Sequence, residues 1–218
     1  MTTSGEAGAV GEAGLRERKK QRMYQSISEA AIALFLEKGF DKVSVAEVAA
    51  AAEISKPTLF RYFPTKEDLV LHRFADHEDE AARVVTGRAA GESPLAALER
   101  HHLDAVARRD PVTGLSDHPQ VLAFQRLLYG TPALVARIPG YQERSEAALA
   151  KALDDGGTEA GLDARIAAAQ IVAVQRVLAL ENGRRIAAGE AVDEVATEAV
   201  PAAERAFAGL RLGLAAYA

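Results

Sequence analysis

Along most of the chain, apolar residues recur every three or four positions, the spacing that places them on one face of an α-helix. The alternation expected of β-strands is scarce, and the helix-favouring residues Ala, Leu, Glu and Arg are abundant. The first amphipathic segment runs from about residue 15 to residue 38, and its apolar face consists of Ile27, Ala30, Ala31, Leu34 and Phe35. The pattern therefore predicts an all-α protein that begins with a long helix.

Start and stop signals predict three short helices after the first one. Gly39 follows the last residue of the first helix, and glycine readily takes the left-handed conformation that ends helices. Ser44 and Glu47 have the spacing of a capping box at the start of the second helix. The third helix is predicted to begin near Ser55, and Thr65 is expected to cap the fourth.

Turn-rich sequences separate further helices in the rest of the chain. A break is expected at residues 87–94. Pro139 is a possible interruption of one helix, and Pro201 is expected to kink or begin the last one. The predicted helices cover residues 94–109, 118–129, 132–153, 163–188 and 191 onward.

The second and third helices, at about residues 44–63, have the lengths and the spacing of a helix-turn-helix motif. A recognition helix needs apolar side chains that anchor it from behind, while its front stays polar and enters the major groove. Leu59 and Phe63 lie four residues apart and are the expected anchors. The residues expected to face outward are Lys56, Thr58, Arg61 and Tyr62. The alternative interpretation is a generic helical hairpin with surface charge.

The overall net charge of −5 taken alone argues against a nucleic-acid partner, but the distribution of charge along the chain does not. Residues 15–66 contain ten Lys and Arg against six Asp and Glu, a net charge of +4. The remainder has 16 basic and 25 acidic residues, a net charge of −9. This asymmetry favours a nucleic-acid-binding part joined to an acidic part with another role, although chance clustering on a solvated surface would give the same counts.

Composition also limits the compartment and the chemistry. The chain has no Cys, which excludes disulfides and thiolate metal sites and fits a cytoplasmic protein. No segment has the length and apolarity of a membrane span, so no membrane partner is expected. Residues 1–14 are rich in Gly, Ala, Thr and Glu, do not resemble a signal peptide, and are predicted to be a disordered tail.

Residues 23–71 resemble the N-terminal domain of the TetR family of bacterial regulators, most specifically in the run SKPTLFRYFPTKEDL at residues 55–69. The resemblance implies a three-helix helix-turn-helix DNA-binding domain at residues 15–74. It also implies a helical ligand-binding and dimerisation domain at residues 75–218. The function it implies is that of a repressor, released from a palindromic operator in double-stranded DNA by a small-molecule effector.

The resemblance also assigns DNA contacts to individual residues. In the helix-turn-helix and the start of the fourth helix these are Ser44, Ser55, Lys56, Pro57, Thr58, Phe60, Arg61, Tyr62 and Lys66. The basic run of the first helix would neutralise flanking phosphates through Arg16, Arg18, Lys19, Lys20 and Arg22. On its own, that run is equally well interpreted as a solvated helix end. Pro57 and Phe60 depart from the Gly and Tyr that the family often has, so the operator sequence is not predictable.

The acidic remainder has no identifying motif. Its last two helices carry stripes of small or apolar residues that suit close helix packing, so either a dimer interface or ordinary intrachain core is expected there. In the last helix the stripe is Ala199, Ala202, Ala206, Gly209 and Gly213, and in the preceding one it is Ile166, Ala169, Ala173, Val177 and Leu180. Candidate ligand-binding residues are His102, Phe124, Leu128 and Gln175, each of which also suits plain core or surface.

Other functional classes find little support. The chain has no phosphate-binding Gly-rich loop, no HExxH and no GxSxG, so an enzyme is not favoured and no cofactor is expected. No metal site is expected either, because the adjacent His101 and His102 diverge by about 100° on a helix. A non-specific architectural DNA-binding protein would be basic overall, which the acidic C-terminal part argues against.

Overall fold

In this computed structural model the structure describes residues 6–75, 77–154 and 160–218, and side chains from Arg18 onward except those of residues 74 and 75. All regular secondary structure in these residues is helical, which confirms the predicted all-α class. The α-helices of the described residues are α1 Glu6–Lys38, α2 Val45–Ala51, α3 Lys56–Tyr62, α4 Asp68–Ala75, α5 Glu80–Thr86, α6 Pro94–Ala107, α7 Pro119–Gly130, α8 Pro132–Val135, α9 Ile138–Leu153, α10 Leu162–Ala187 and α11 Val192–Gly213.

Helix α1 begins nine residues earlier than the sequence pattern predicted. Residues 6–14, which were predicted to be disordered, continue the helix toward the N-terminus. Extending an existing helix adds one hydrogen bond for each residue fixed, so Ala and Glu can propagate it even without an apolar face. Residues 1–5 of the predicted tail lie outside the described residues.

The predicted caps of the short helices are present. Ser44 and Glu47 form a reciprocal capping box at the start of α2. The Ser55 hydroxyl accepts a hydrogen bond from the Thr58 backbone N–H at the start of α3. Thr65 and Asp68 exchange backbone-to-side-chain hydrogen bonds of 2.9 and 3.3 Å before α4. These local bonds satisfy backbone groups that have no partner within a helix, and so determine where each helix begins.

Prolines delimit the later helices. Residues 132–153, predicted as one helix, form α8 and α9, with Pro139 in the first turn of α9. Pro201 neither begins nor ends α11 and lies inside it. The predicted break at residues 87–94 lies between α5 and α6.

The described chain divides into two compact units. The first comprises the residues up to Arg73 together with Leu127–Val135, and the second comprises Phe74–Arg126 and Ala136–Ala218. Fully buried apolar side chains form the core of the first unit, so α1 to α4 pack as one body. Its largest buried residues from α1 to α4 are Ile27, Phe35, Leu59, Phe63, Leu69 and Leu71.

In the second unit, α9 packs against both α5 and α10, and α11 packs against α6 and α10. Its main core cluster includes Leu98, Leu149, Ile171 and Phe207, all of which are fully buried. The loop after α6 is bound tightly to α10, since the buried Asn182 amide donates a 2.9 Å hydrogen bond to the Thr113 carbonyl.

Candidate nucleic-acid interface

Helix α3 has one buried face and one exposed face, as a recognition helix requires. Leu59 and Phe63 are almost completely buried, which confirms their predicted role as anchors. The side chains that reach solvent are Lys56, Pro57, Phe60 and Arg61, and Phe60 is 41% exposed although it is aromatic. Thr58 and Tyr62 were also predicted to face outward, and they are half-buried, so each is only partly exposed.

Two cations lie beside aromatic rings on this helix. The Lys56 ammonium lies 5.8 Å from the centre of the Phe60 ring, and the Arg61 guanidinium carbon lies 5.5 Å from the centre of the Tyr62 ring. In the part of the chain that the structure describes, neither cation is paired with a carboxylate. Their charge is therefore available to a phosphate or to a base acceptor.

The hydroxyl groups of this region are already hydrogen-bonded within the protein. The Ser55 and Thr58 hydroxyl oxygens lie 2.8 Å apart and bond each other. The Ser44 hydroxyl donates a 2.9 Å hydrogen bond to the Glu47 carboxylate. The predicted phosphate and groove contacts of these residues stay predictions, and any such contact competes with these local bonds.

Tyr24 of α1 joins three helices of the first unit through ring contacts. Its ring meets the rings of Tyr62 and Phe63 edge-on, at centroid distances of 4.9 and 5.2 Å. It also stacks on the His72 ring of α4, at 4.9 Å with an angle of 26° between the planes. The Lys20 ammonium lies 6.0 Å from the centre of the Tyr24 ring. Tyr24 therefore lies between Lys20 of the basic run and Tyr62 of the recognition helix, and its ring is close to both.

Sequence reasoning missed both Tyr24 and His72. One signal was available for Tyr24, since it lies three residues before Ile27 and so continues the apolar face of α1 by one turn. His72 gave no comparable signal. In the described residues, its Nε2 atom is buried without a hydrogen-bond partner, and its ring stacks on Tyr24 and meets the Phe63 ring edge-on at 5.5 Å.

The basic run of α1 reaches solvent. Arg18, Lys19, Lys20 and Arg22 are exposed, as contacts to flanking phosphates would need. Arg16 lies outside the residues whose side chains the structure describes. The phosphate role of the run stays a prediction.

Lys66 makes contacts within the protein, and its predicted phosphate contact stays a prediction. Its ammonium donates a hydrogen bond to the Phe40 carbonyl and lies 4.4 Å from the centre of the Phe40 ring and 5.4 Å from that of Phe35. Lys66 thus holds the segment just before α4 against the C-terminal end of α1. A phosphate contact would use its remaining N–H groups, since an ammonium has three donors.

The four candidate ligand-binding residues are divided between the two units. Leu128 is buried in the first unit. In the second, His102 is buried beside Phe207, with 5.8 Å between ring centres, and Phe124 and Gln175 are half-buried. Burial lowers the pKa of His102, so its imidazole is held neutral. Whether these residues bind a ligand stays a prediction.

In the described part of the chain, no group of three or more His, Asp or Glu side chains has an arrangement that could bind a metal ion. Among the described helices, none combines the length and the apolarity that crossing a membrane requires.

Comparison with known proteins agrees with the geometry of α1 to α4. Residues 27–72 match the family model described as bacterial regulatory proteins, TetR family. The match begins at Ile27 of α1 and ends at His72 of α4, so it contains the whole helix-turn-helix and the anchors of α3.

A curated relative extends the similarity beyond this segment. The HTH-type transcriptional regulator TcmR of Streptomyces glaucescens is 32% identical over 139 residues, which cover 63% of this chain and 62% of the relative. The chain therefore matches less than two thirds of the length of TcmR.

Solved structures with similar folds cover most of the chain. Native NalD, the secondary repressor of the MexAB-OprM multidrug efflux pump in Pseudomonas aeruginosa, is 19% identical, covers 86% of this chain and 97% of its own, and has a TM-score of 0.54. GusR of Salmonella enterica is 20% identical, covers 88% of this chain and 95% of its own, and has a TM-score of 0.50. At these identities the likeness concerns the fold alone. The family model and the curated relatives together identify residues 27–72 as a segment of the TetR family of bacterial regulatory proteins.

Proposed function

We propose that this protein is a sequence-specific DNA-binding transcriptional regulator. The observation that supports this most strongly is the exposed face of α3, where Lys56 and Arg61 are unpaired while Leu59 and Phe63 hold the helix from behind. A short helix of this kind fits the major groove, and cations on its front can bond base edges or phosphates.

A curated relative supports the same proposal through its name, since TcmR is named an HTH-type transcriptional regulator. For this chain we propose repression from a palindromic operator and release by a small-molecule effector. The effector would favour one arrangement of α4 over another, and a ligand shifts such an equilibrium only by its difference in affinity for the two states. A cytoplasmic location is part of the same proposal.

A homodimer is the state we propose for DNA binding. One recognition helix contacts few bases, whereas two copies related by a two-fold axis contact both halves of a palindrome. An exposed apolar face on α10 supports this proposal, because Ile166, Val177 and Leu180 are 46, 56 and 39% exposed. These side chains lie opposite the buried face of the same helix, which includes Ala167 and Ile171. A second copy packed there would remove this apolar surface from water.

The stripe predicted on α11 contributes less to that interface. Ala199 is buried in the core of its own chain, and Ala202 and Ala206 are half-buried. Gly209 and Gly213 are the exposed members of the stripe. Ordinary intrachain packing therefore accounts for Ala199, and we assign the dimer face to α10.

Selection of genomic fragments by the purified protein, read by sequencing, tests the proposed function. The expected result is repeated recovery of a short palindrome. Recovery of fragments without a shared sequence would contradict sequence specificity and would favour non-specific DNA binding instead. The salt dependence separates the two cases further, since a non-specific complex depends almost entirely on counterion release. Repeating the selection with protein refolded free of bound ligand controls for an effector that remains bound during purification.

A further inference from the structure

The chemistry of the exposed α3 face favours some bases over others. The four most exposed side chains of the helix are Lys56, Pro57, Phe60 and Arg61, while Thr58 and Tyr62 are half-buried. Lys and Arg side chains donate hydrogen bonds and accept none, while Pro and Phe side chains do neither. Helix α3 contains no Asn, Gln, Asp or Glu, so it carries no amide or carboxylate acceptor.

The hydroxyl groups nearby are partly engaged within the protein. Ser55 and Thr58 bond each other at 2.8 Å, and the Ser55 oxygen also accepts the Thr58 backbone N–H at 3.2 Å. Tyr62 is half-buried, with its ring against Tyr24. The most exposed side chains of α3 are therefore hydrogen-bond donors or apolar.

Base edges in the major groove differ in what they require of a protein. Guanine presents two acceptors, N7 and O6, that suit Arg or Lys. Thymine presents a methyl group that suits an apolar side chain. The amino groups of adenine and cytosine need an acceptor, which none of the four most exposed side chains provides.

The contact between Lys56 and Phe60 indicates how far apart the two bases that they reach can lie. The ammonium lies 5.8 Å from the ring centre, with the two residues one turn apart on α3. Successive bases of one strand are about 3.4 Å apart along the helix axis. A donor and an apolar surface at this separation reach bases within about two steps of each other.

We propose that each half-site of the operator is read at a guanine, through Lys56 or Arg61, and at a thymine within two base steps of it, through Phe60. This proposal rests on the proposed function as a DNA-binding regulator and names the bases that its recognition helix takes. Phe60 is then a specificity-determining residue, and its missing hydroxyl is the feature that favours a methyl group over a polar edge.

The test uses the full chain and duplex DNA selected from a random library. We expect enriched half-sites that contain guanine and thymine within two steps. In the enriched duplex, replacing the half-site thymine by deoxyuracil removes only the methyl group, and affinity is expected to fall about fourfold. Replacing the guanine by 7-deazaguanine removes the N7 acceptor and is expected to reduce affinity about five- to hundredfold.

The variant Phe60→Ala assigns the methyl contact to this side chain. We expect Phe60→Ala to bind the thymine and deoxyuracil duplexes equally, while it stays sensitive to 7-deazaguanine. An Arg108→Ala variant, altered at an exposed residue of the second unit, is the control and keeps both sensitivities.

The outcomes distinguish this inference from the proposed function. Enriched half-sites without neighbouring guanine and thymine would overturn the inference and leave the regulator intact. Equal affinity of the unaltered protein for the thymine and deoxyuracil duplexes would also overturn it. If the random library yields no enriched sequence, the proposed function itself fails, and the inference fails with it.

Discussion

Arg61 and Lys56 have no carboxylate partner in the described part of the chain, whereas several arginines of the second unit are paired. Arg144, for example, bonds both oxygens of Glu78, and Arg185 bonds Glu190 and Glu198. A paired cation must give up its carboxylate before it binds a phosphate, whereas an unpaired cation need not. Lys56 and Arg61 are therefore better suited to DNA than the paired arginines of the second unit.

Substitution of Arg61 tests whether this single side chain contributes to DNA binding. We expect Arg61→Ala to weaken binding to an operator by about 1–3 kcal/mol without unfolding the protein, because the exposed side chain contributes little to the core. Fluorescence anisotropy with a labelled duplex measures the affinity, and circular dichroism monitors the fold. Arg108→Ala serves as the matched control and is expected to bind normally. Unchanged affinity of a folded Arg61→Ala protein would remove Arg61 from the interface.

Glu80 of α5 is expected to contribute to stability in a way that depends on pH. His77 and His101 each donate a hydrogen bond to its carboxylate, at 2.7 and 3.0 Å, in the tautomers that place N–H groups there. The bond from His77 contributes most to lowering the pKa of Glu80 from its ordinary 4.5 to about 2, with His101 adding to it and partial burial opposing it. The ionised carboxylate therefore links the start of α5 to α6.

The sign of the resulting pH dependence follows from this lowered pKa. The stabilising contribution is fully present above pH 4.5, is lost as pH falls toward 2, and amounts to about 1–2 kcal/mol once solvent screening is taken into account. We expect Glu80→Gln to lower the free energy of unfolding near neutral pH and to match the unaltered protein near pH 2. Denaturant unfolding between pH 2 and neutral pH measures the free energy of unfolding of each protein. Glu143→Gln, a substitution of an exposed residue, is the control. A difference that does not change with pH would contradict the assignment.

Much of the local structure could be predicted from single residues, while contacts distant in sequence could not. Ser44, Ser55 and Thr65 cap helices as predicted because each acts within three residues of itself. The position of Lys66 against Phe40 depends on how two helices pack, and no local pattern encodes that. The ring contacts of Tyr24 depend on packing in the same way.

At the scale of elements, the periodicity predicted the helices and prolines determined where some of them break. The apolar face of α1 and the anchors of α3 were predictable because a buried face repeats every three or four residues. The start of α1 at Glu6 was not, since a solvated extension has no apolar face to reveal it. Pro139 lies in the first turn of α9, the part of a helix where its missing N–H costs no intrahelical hydrogen bond.

The loop between α6 and α7 depends on one glycine. Gly114 has a φ of +77°, and a Cβ at this position would overlap the carbonyl oxygen of Ala179 and lie 2.8 Å from the backbone nitrogen of Gly183. Both neighbours are backbone atoms of α10, which cannot move as a flexible side chain does. This close approach holds the loop in position for the hydrogen bond from Asn182 to the Thr113 carbonyl.

Substitution of Gly114 is expected to be severe. Gly114→Ala combines an unfavourable φ with a backbone clash, so we expect the free energy of unfolding to fall by about 3 kcal/mol or more. Thermal and denaturant unfolding of the full chain measure the change. Gly130→Ala is the matched control, since a Cβ there meets no atom within 4 Å, and its effect is expected to stay within about 1 kcal/mol. Equal stability of the two variants would contradict the packing described for this loop.

At the scale of the whole molecule, the charge asymmetry of the sequence corresponds to the proposed separation of roles. The basic run of α1 and the recognition helix belong to the first unit, and the exposed apolar face of α10 belongs to the second. DNA binding by the first and self-association by the second together would give the symmetric complex that a palindrome requires.

Substitution on α10 tests the proposed dimer. We expect Val177→Arg to shift the protein from dimer to monomer, because a charge at the centre of an apolar interface is desolvated without a partner. Light scattering at micromolar concentration measures the mass. Arg108→Ala lies outside this face and is expected to remain dimeric. A monomeric unaltered protein, or a dimer that tolerates Val177→Arg, would contradict the assignment of this face.

Footprinting of the protein on a fragment recovered from the genome tests whether α3 reads the sequence of a palindrome. We expect two protected segments that are inverted repeats of each other, with centres about one helical turn of DNA, or a multiple of it, apart. Protection spread evenly along the fragment would mean that the protein binds phosphates without reading sequence. That result would contradict the role of α3 as a recognition helix.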